Sequence, residues 1–145
     1  MKRMYGTFAS DPEAEVNGIA LDYTDFRITI ARAGGANKKY AKALHRKSQP
    51  YQRLIALDQM DNDKAVDILM QVYAECVVKD WETKNDEDVW VTGIENPEGD
   101  ELLPVNPANI LKTFRALPDL FADVREQAEK GALFRTAIRE QAEGN

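Results

Sequence analysis

The sequence predicts a mainly α-helical fold of the α+β type, with about five or six helices, one N-terminal strand and a small β-hairpin. Three observations lead to this prediction: one long stretch with helical spacing of apolar residues, two helix starts marked by proline, and one short alternating stretch. The 145 residues are 43% hydrophobic and 30% charged, a composition typical of one globular domain. We expect a single helical domain over residues 20–145, preceded by a loosely ordered arm over residues 1–19.

The strand is predicted over residues 23–30, where aromatic and β-branched residues alternate with polar ones. A pair of glycines ends this pattern, and Asn37 can cap a helix over residues 38–47. Pro50 breaks that helix, and residues 51–60 predict a second short one.

The longest predicted helix begins at the polar cluster of residues 61–63 and extends to Trp81. Two neighbouring apolar stripes run along it with helical spacing, so together they form a broad face for the core. The stripes are Val66, Met70, Tyr73, Val77 and Trp81, and Ala65, Leu69, Val72 and Cys76.

The C-terminal half predicts a hairpin followed by helices. Residues 89–94 and 101–105 flank a turn of the Asn-Pro/Glu-Gly type, which is typical of a short hairpin. Asn106 with the following proline starts one helix, and Pro118 opens another. A last helix is predicted around residues 133–138.

Charge is distributed unevenly, although the net charge is −6. Residues 26–57 contain no acid, whereas residues 58–145 contain twenty acids and nine bases. The eight bases of the first segment are Arg27, Arg32, Lys38, Lys39, Lys42, Arg46, Lys47 and Arg53. Such segregation favours binding between unlike surfaces, within the chain, between copies or with a partner.

Catalytic, metal and cofactor sites find little support in the residue pattern. The only cysteine, Cys76, lies on the apolar face of the long helix, where a thiol usually packs as a small hydrophobe. The only histidine, His45, lies among lysines and arginines. The acidic stretches 58–63 and 85–89 lack the glycine and closing glutamate of a calcium loop. The glycine-containing turn over residues 32–39 matches neither phosphate-binding motif, so we expect no cofactor.

The expected compartment is the cytoplasm. No apolar run follows the basic N-terminus, and no stretch approaches the ~20 apolar residues needed to cross a bilayer. A single cysteine also fits a reducing environment.

Three classes of function remain open on the residues alone. The first is a helical protein-binding domain without enzymatic activity. The second is a nucleic-acid-associated regulator that uses the basic segment 26–57. The third is a small enzyme that uses Cys76 or an acidic site.

The order of several segments resembles the tail assembly chaperones of long-tailed, siphovirus-like bacteriophages. The similarity extends from about Phe26 to the C-terminus. Its most characteristic parts are "RAGGAN" at 32–37, "YAECVVKDW" at 73–81, and "LPDLF" at 117–121 with the closing helix and Phe134.

This resemblance implies a non-enzymatic protein that binds the long helical tape-measure protein and keeps it soluble while tail-tube subunits polymerise. It implies action in the host cell cytoplasm, absence from the mature virion, and recruitment of tail-tube protein through a longer, frameshifted form. The chain, which ends at Asn145, is similar to the short form. We also expect self-association. The residues predicted to contact partners are Arg32, Lys38, Lys39, Lys42, Arg46 and Trp90.

Overall fold

The computed structural model describes residues 3–135. The helices are α1 (Arg3–Phe8), α2 (Pro12–Asn17), α3 (Lys38–Ser48), α4 (Gln52–Ala56), α5 (Asn62–Cys76), α6 (Pro107–Ala116) and α7 (Pro118–Glu129), with 3₁₀ turns at Gln49–Tyr51 and Gly131–Phe134. The strands are β1 (Ile19–Asp22), β2 (Phe26–Ile30), β3 (Val78–Lys84), β4 (Trp90–Thr92), β5 (Ile94–Glu95) and β6 (Leu102–Leu103).

The strands form a four-stranded antiparallel sheet in the order β1-β2-β3-β4 and a separate two-stranded ribbon, β5-β6. The prediction of a mainly helical fold with one N-terminal strand and one hairpin is therefore wrong. The protein has a mixed α+β fold. Only part of the predicted hairpin forms a ribbon of its own, because β4 pairs with β3 in the large sheet.

Helices α5, α6 and α7 cover one face of the large sheet and form the main core with it. Ile28 and Trp81 contribute from the sheet, Tyr73 from α5, and Phe114 and Phe121 from the two later helices. Helix α3 packs on the other side of α5 through a smaller cluster of Ala43, Val72 and Cys76, with Tyr40 and Leu44 at its edge. The core thus consists of a sheet and a layer of three helices, and α3 packs outside that layer.

Helix α5 ends at Cys76, five residues before the predicted end at Trp81. After Val77 the chain becomes β3, which pairs with β2 in the register Ile28↔Trp81. The backbone N–H of Ala31 donates to the carbonyl of Val77 at 2.7 Å and joins the end of β2 to the start of β3. Trp81 still faces the core, but from a strand.

Several predicted helix boundaries are confirmed. Helix α3 covers the predicted range, and α6 is capped by Asn106, whose side-chain oxygen accepts from the N–H of Asn109 at 2.8 Å. Helix α7 begins at Pro118. Part of the helix predicted around residues 133–138 lies outside the described residues.

Residues 3–17, within the predicted arm, form α1 and α2. Helix α2 is anchored through Ala14 and Glu15, which are buried, whereas α1 has no buried residue.

Candidate protein-binding surfaces

Four of the predicted contact residues lie on α3 and have exposed side chains. Lys38, Lys39 and Lys42 form no ion pair with any residue between 3 and 135. Arg46, by contrast, is paired with Glu75 of α5 at 3.0 Å. Lys47 reaches the other oxygen of the same carboxylate at 3.0 Å. Part of the basic segment is thus neutralised within the chain, and three lysines are left for a partner.

Arg32 lies at a buried junction. Its guanidinium donates to the Glu15 carboxylate at 2.9 Å, and that carboxylate is almost completely buried. The same carboxylate lies beside the glycine turn, where it also accepts from the N–H of Ala36 at 3.4 Å. Gly35 has a φ of +54° there, and a Cβ at this position would overlap Glu15. The carboxylate beside the glycine turn thus belongs to Glu15. Its ion pair with Arg32 favours a structural role for Arg32 over contact with a partner.

Trp90 lies on the polar face of the large sheet between two cations. The guanidinium carbon of Arg27 is 4.2 Å from the Trp90 ring centroid, and the Lys84 ammonium is 5.1 Å from it. Arg27 is itself paired with Glu82 across β2 and β3 at 2.9 Å. The ring is therefore held by contacts within the sheet. Its role in partner binding stays a prediction.

Cys76 and His45 have different neighbours. The Cys76 thiol is 3.6 Å from the carbonyl of Lys39, to which it donates, and burial raises the pKa of the thiol. An imidazole nitrogen of His45 is 2.8 Å from the side-chain nitrogen of Gln49. The raised pKa reduces the thiolate population, and the thiol already donates to a backbone carbonyl. Both observations favour a packed thiol over a nucleophile.

Within residues 3–135, no group of three or more histidine, cysteine, aspartate or glutamate side chains is placed to hold a metal ion. No helix in the same range is long and apolar enough to span a bilayer.

A groove lies between the β5-β6 ribbon and the corner where α6 meets α7. Its main cavity has a volume of about 350 Å³, and a smaller cavity of about 90 Å³ continues it toward Trp81. Leu103, Ala116 and Leu117 contribute apolar walls, and Lys112 also lines the cavity. We call this feature the ribbon groove.

An acidic depression of about 300 Å³ adjoins the ribbon groove and shares Glu95 with it. Its other carboxylates belong to Asp25, Asp86, Asp100 and Glu101, and Lys84 is the only base that lines it. None of the five carboxylates forms an ion pair with another residue of the described chain. The ribbon groove therefore has apolar walls, and the depression beside it carries carboxylates without ion pairs in the described chain.

Two clusters of exposed apolar side chains were not predicted as contact surfaces. On α1, Tyr5 is 76% exposed, and Met4 and Phe8 are exposed to a similar degree. The spacing of these three residues is that of one helix face, but they lie in the predicted arm, residues 1–19, whose sequence shows no sustained period. The other cluster is Leu54, Ile55 and Leu57 at α4, which we call the α4 tip.

A sequence model of the YdaY prophage protein family matches residues 35–145, more than half of the chain. The match includes α3 to α7 and all residues that line the main cavity of the ribbon groove. Searches of curated proteins and of solved structures find no match. The family description agrees with the resemblance to phage proteins and states no role in tail assembly. On this match, the chain belongs to the YdaY prophage protein family.

Proposed function

We propose that the protein is a non-enzymatic tail assembly chaperone that binds the tape-measure protein of its phage and keeps it soluble. Two findings support this proposal: membership of a prophage family and the resemblance of residues from Phe26 onward to such chaperones. In this proposal the protein acts in the host cytoplasm and is absent from the mature virion. A longer, frameshifted form recruits the tail-tube protein.

The observation that carries the proposal is the apolar face of α1. Met4, Tyr5 and Phe8 are the three most exposed large apolar side chains of the described residues. An exposed cluster of this kind is typical of a surface that another protein covers. Aromatic residues and methionine are also enriched at protein interfaces.

The chemistry of α1 suits an apolar helix as its partner. Methionine is flexible and polarisable, so it adapts to an irregular apolar surface. The Phe8 ring is supported by the guanidinium of Arg135, whose central carbon is 4.6 Å from the ring centroid. Since α1 buries none of its residues, these side chains are available to a partner without unfolding the core. The net charge of −6 would keep a coated partner soluble.

Co-expression with the tape-measure protein tests the proposal. We expect the wild-type chain to keep that protein in the soluble fraction, and the triple variant Met4→Ser, Tyr5→Ser, Phe8→Ser to lose this effect. Val89→Ser is the control, because Val89 is an exposed apolar residue that lies on a loop and not on α1. If the tape-measure protein aggregates equally with and without the wild-type chain, the proposal is wrong. Solubilisation by the triple variant would show that another surface makes the contact.

A nucleic-acid-associated regulator is the second candidate, and the unpaired lysines Lys38, Lys39 and Lys42 are the observation that favours it. It is less well supported, because Arg27, Arg46 and Lys47 are already paired with glutamates. Binding to duplex or single strands that falls steeply with salt would support this candidate.

A further inference from the structure

We propose that Arg32 couples two distant parts of the sequence, segment 10–17 and segment 131–135, so that they open and close together as one unit. Helix α1 directly precedes the first segment and also contacts the second one. The apolar face of α1 is therefore coupled to segment 131–135. This coupling does not depend on what the α1 face binds, so it does not depend on the proposed chaperone function.

The two segments contact each other directly. The backbone N–H of Asp11 donates to the carbonyl of Phe134 at 2.8 Å, and Ser10 forms an antiparallel bridge with Arg135. The Arg135 guanidinium also lies over the Phe8 ring of α1, 4.6 Å from its centroid. Movement of one segment away from the protein would therefore break contacts of the other.

Arg32 lies between the two segments and reaches both. On one side its guanidinium donates to the Glu15 carboxylate at 2.9 Å and to the Ser10 hydroxyl at 3.5 Å. On the other side it packs against Gly131, where a Cβ would lie only 2.7 Å from a guanidinium nitrogen. The backbone N–H of Arg32 also donates to the carbonyl of Glu15 at 2.9 Å. We call this set of contacts the Arg32 clamp.

The clamp requires a residue without a side chain at position 131. Gly131 does not have a positive φ, so the backbone alone does not demand glycine there, but the missing Cβ leaves space for the guanidinium. The Glu15 carboxylate is only 5% exposed and is paired with Arg32. If the guanidinium moved, this carboxylate would stay buried without its partner, which is costly. A change at Gly131 should therefore reach Glu15 through Arg32.

The two segments are packed apart from the rest of the interior. Their buried apolar residues, Ala14 and Phe134, belong to neither of the two core clusters of the described chain. Local opening of such a region costs less free energy than unfolding of the whole protein. The unit can therefore open while the sheet and α5 stay folded.

A coupling of this kind acts in both directions. A partner that binds α1 and draws it away from the protein would loosen segment 131–135. In turn, a change at segment 131–135 would alter how freely α1 moves. The clamp thus links the apolar face of α1 to the other end of the described chain.

One substitution in each segment tests the coupling. Glu15→Gln removes the buried charge, and its matched control is Glu82→Gln, which makes the same change in the Arg27–Glu82 pair of the sheet. Gly131→Ala places a methyl group against the guanidinium, which can move aside because it ends a flexible side chain. Its matched control is Gly6→Ala, since nothing lies within 4 Å of the added Cβ.

Residue-resolved amide hydrogen exchange, followed by NMR, measures opening of each part. The Gly18 amide donates to α2 and reports on segment 10–17, because a helix of six residues is not stable once it is detached. The Leu133 amide donates within segment 131–135 and reports on it. The Val77 amide, at the end of α5, reports on the rest of the fold.

We expect Glu15→Gln and Gly131→Ala each to accelerate exchange of both the Gly18 and the Leu133 amides by about tenfold. The Val77 amide should exchange as in wild type, and the two controls should leave all three rates unchanged. Arg32→Lys is a second route to the same result, because lysine cannot reproduce the planar contact with both segments.

Exchange that rises only in the segment that carries the substitution would overturn the inference, because the segments would then open separately. An equal rise at Val77 would also overturn it, since the unit would then open only with the whole protein. Unchanged rates in Glu15→Gln, Gly131→Ala and Arg32→Lys, or an equal effect of Glu82→Gln, would contradict it as well. None of these measurements involves the tape-measure protein, so the chaperone proposal and this inference can fail separately.

Discussion

Tyr23 and Tyr73 pack in the same core, but their hydroxyl groups have different surroundings. The Tyr23 hydroxyl donates to a carboxylate oxygen of Asp123 on α7. The Tyr73 hydroxyl is buried and has no hydrogen-bond partner among the described residues. Burial raises the pKa of both phenols, and the Asp123 carboxylate raises the pKa of Tyr23 further. Only the Tyr23 hydroxyl therefore has a protein hydrogen bond in place of the hydrogen bond to water that burial removes.

This difference predicts opposite effects of the same substitution. Tyr23→Phe should lower the free energy of unfolding by about 1 kcal/mol, because Asp123 loses its hydrogen bond. Tyr73→Phe should leave that free energy unchanged or raise it by up to about 1 kcal/mol, because an unpaired polar group is removed. Urea denaturation of both variants measures the difference. A loss of stability in Tyr73→Phe as large as that in Tyr23→Phe would contradict the prediction.

At the scale of elements, Asn37 holds the junction at which α5 gives way to β3. The sequence predicts it as the cap of α3, and it occupies that position, but its side chain makes no cap hydrogen bond. Its amide nitrogen donates instead to the carbonyls of Arg32 at 2.9 Å and Cys76 at 3.0 Å. The second contact satisfies a carbonyl at the end of α5 that would otherwise lack a partner.

Asn37→Asp should therefore destabilise the protein strongly, because a carboxylate offers no donor and would face two carbonyl oxygens. We expect a loss of at least about 2 kcal/mol in the free energy of unfolding, measured by urea denaturation at neutral pH. The exposed cap variant Asn106→Ala is a useful comparison and should cost about 1 kcal/mol. Equal stability of Asn37→Asp and wild type would show that the junction does not depend on this side chain.

Sequence patterns predicted the elements with helical spacing and capping residues, such as α3, α6 and α7. They did not predict β3, because Val77 and Trp81 continue the helical spacing of α5 and also fit a buried strand. Periodicity does not distinguish these two states, and pairing with β2 decides between them. Strand β1 was missed because its four residues are too few to show a period and lie between the predicted arm, which ends at residue 19, and the predicted strand, which begins at Tyr23.

The candidate surfaces could be predicted only in part, for a similar reason. The excess of bases before residue 57 is visible in the sequence, but the ion pairs of Arg32 and Arg46 depend on Glu15 and Glu75, which tertiary structure brings close. The ribbon groove is formed by residues from two separate parts of the chain, so no local pattern indicates it.

At the scale of the whole molecule, the two N-terminal helices have different importance for stability. Among the described helices and strands, deletion of residues 1–9 removes α1 alone, so the free energy of unfolding should fall by no more than about 1 kcal/mol. Deletion of residues 1–18 also removes Glu15 and leaves the Arg32 guanidinium without its partner. That deletion should cost at least about 2 kcal/mol. Thermal unfolding of both truncated chains measures the contrast, and equal losses would contradict it.

The return of the chain to the sheet at Val77 has a consequence for how the protein can be altered. Residues 31–77 leave the sheet after β2 and come back beside the point of departure, where Ala31 and Val77 are joined by a backbone hydrogen bond. The entropy of closing such an excursion grows only slowly with its length. Within it, residues 52–58 are exposed throughout. A foreign sequence grafted there would lengthen the excursion without changing the register of the sheet, which makes α4 a natural position for a fused reporter domain.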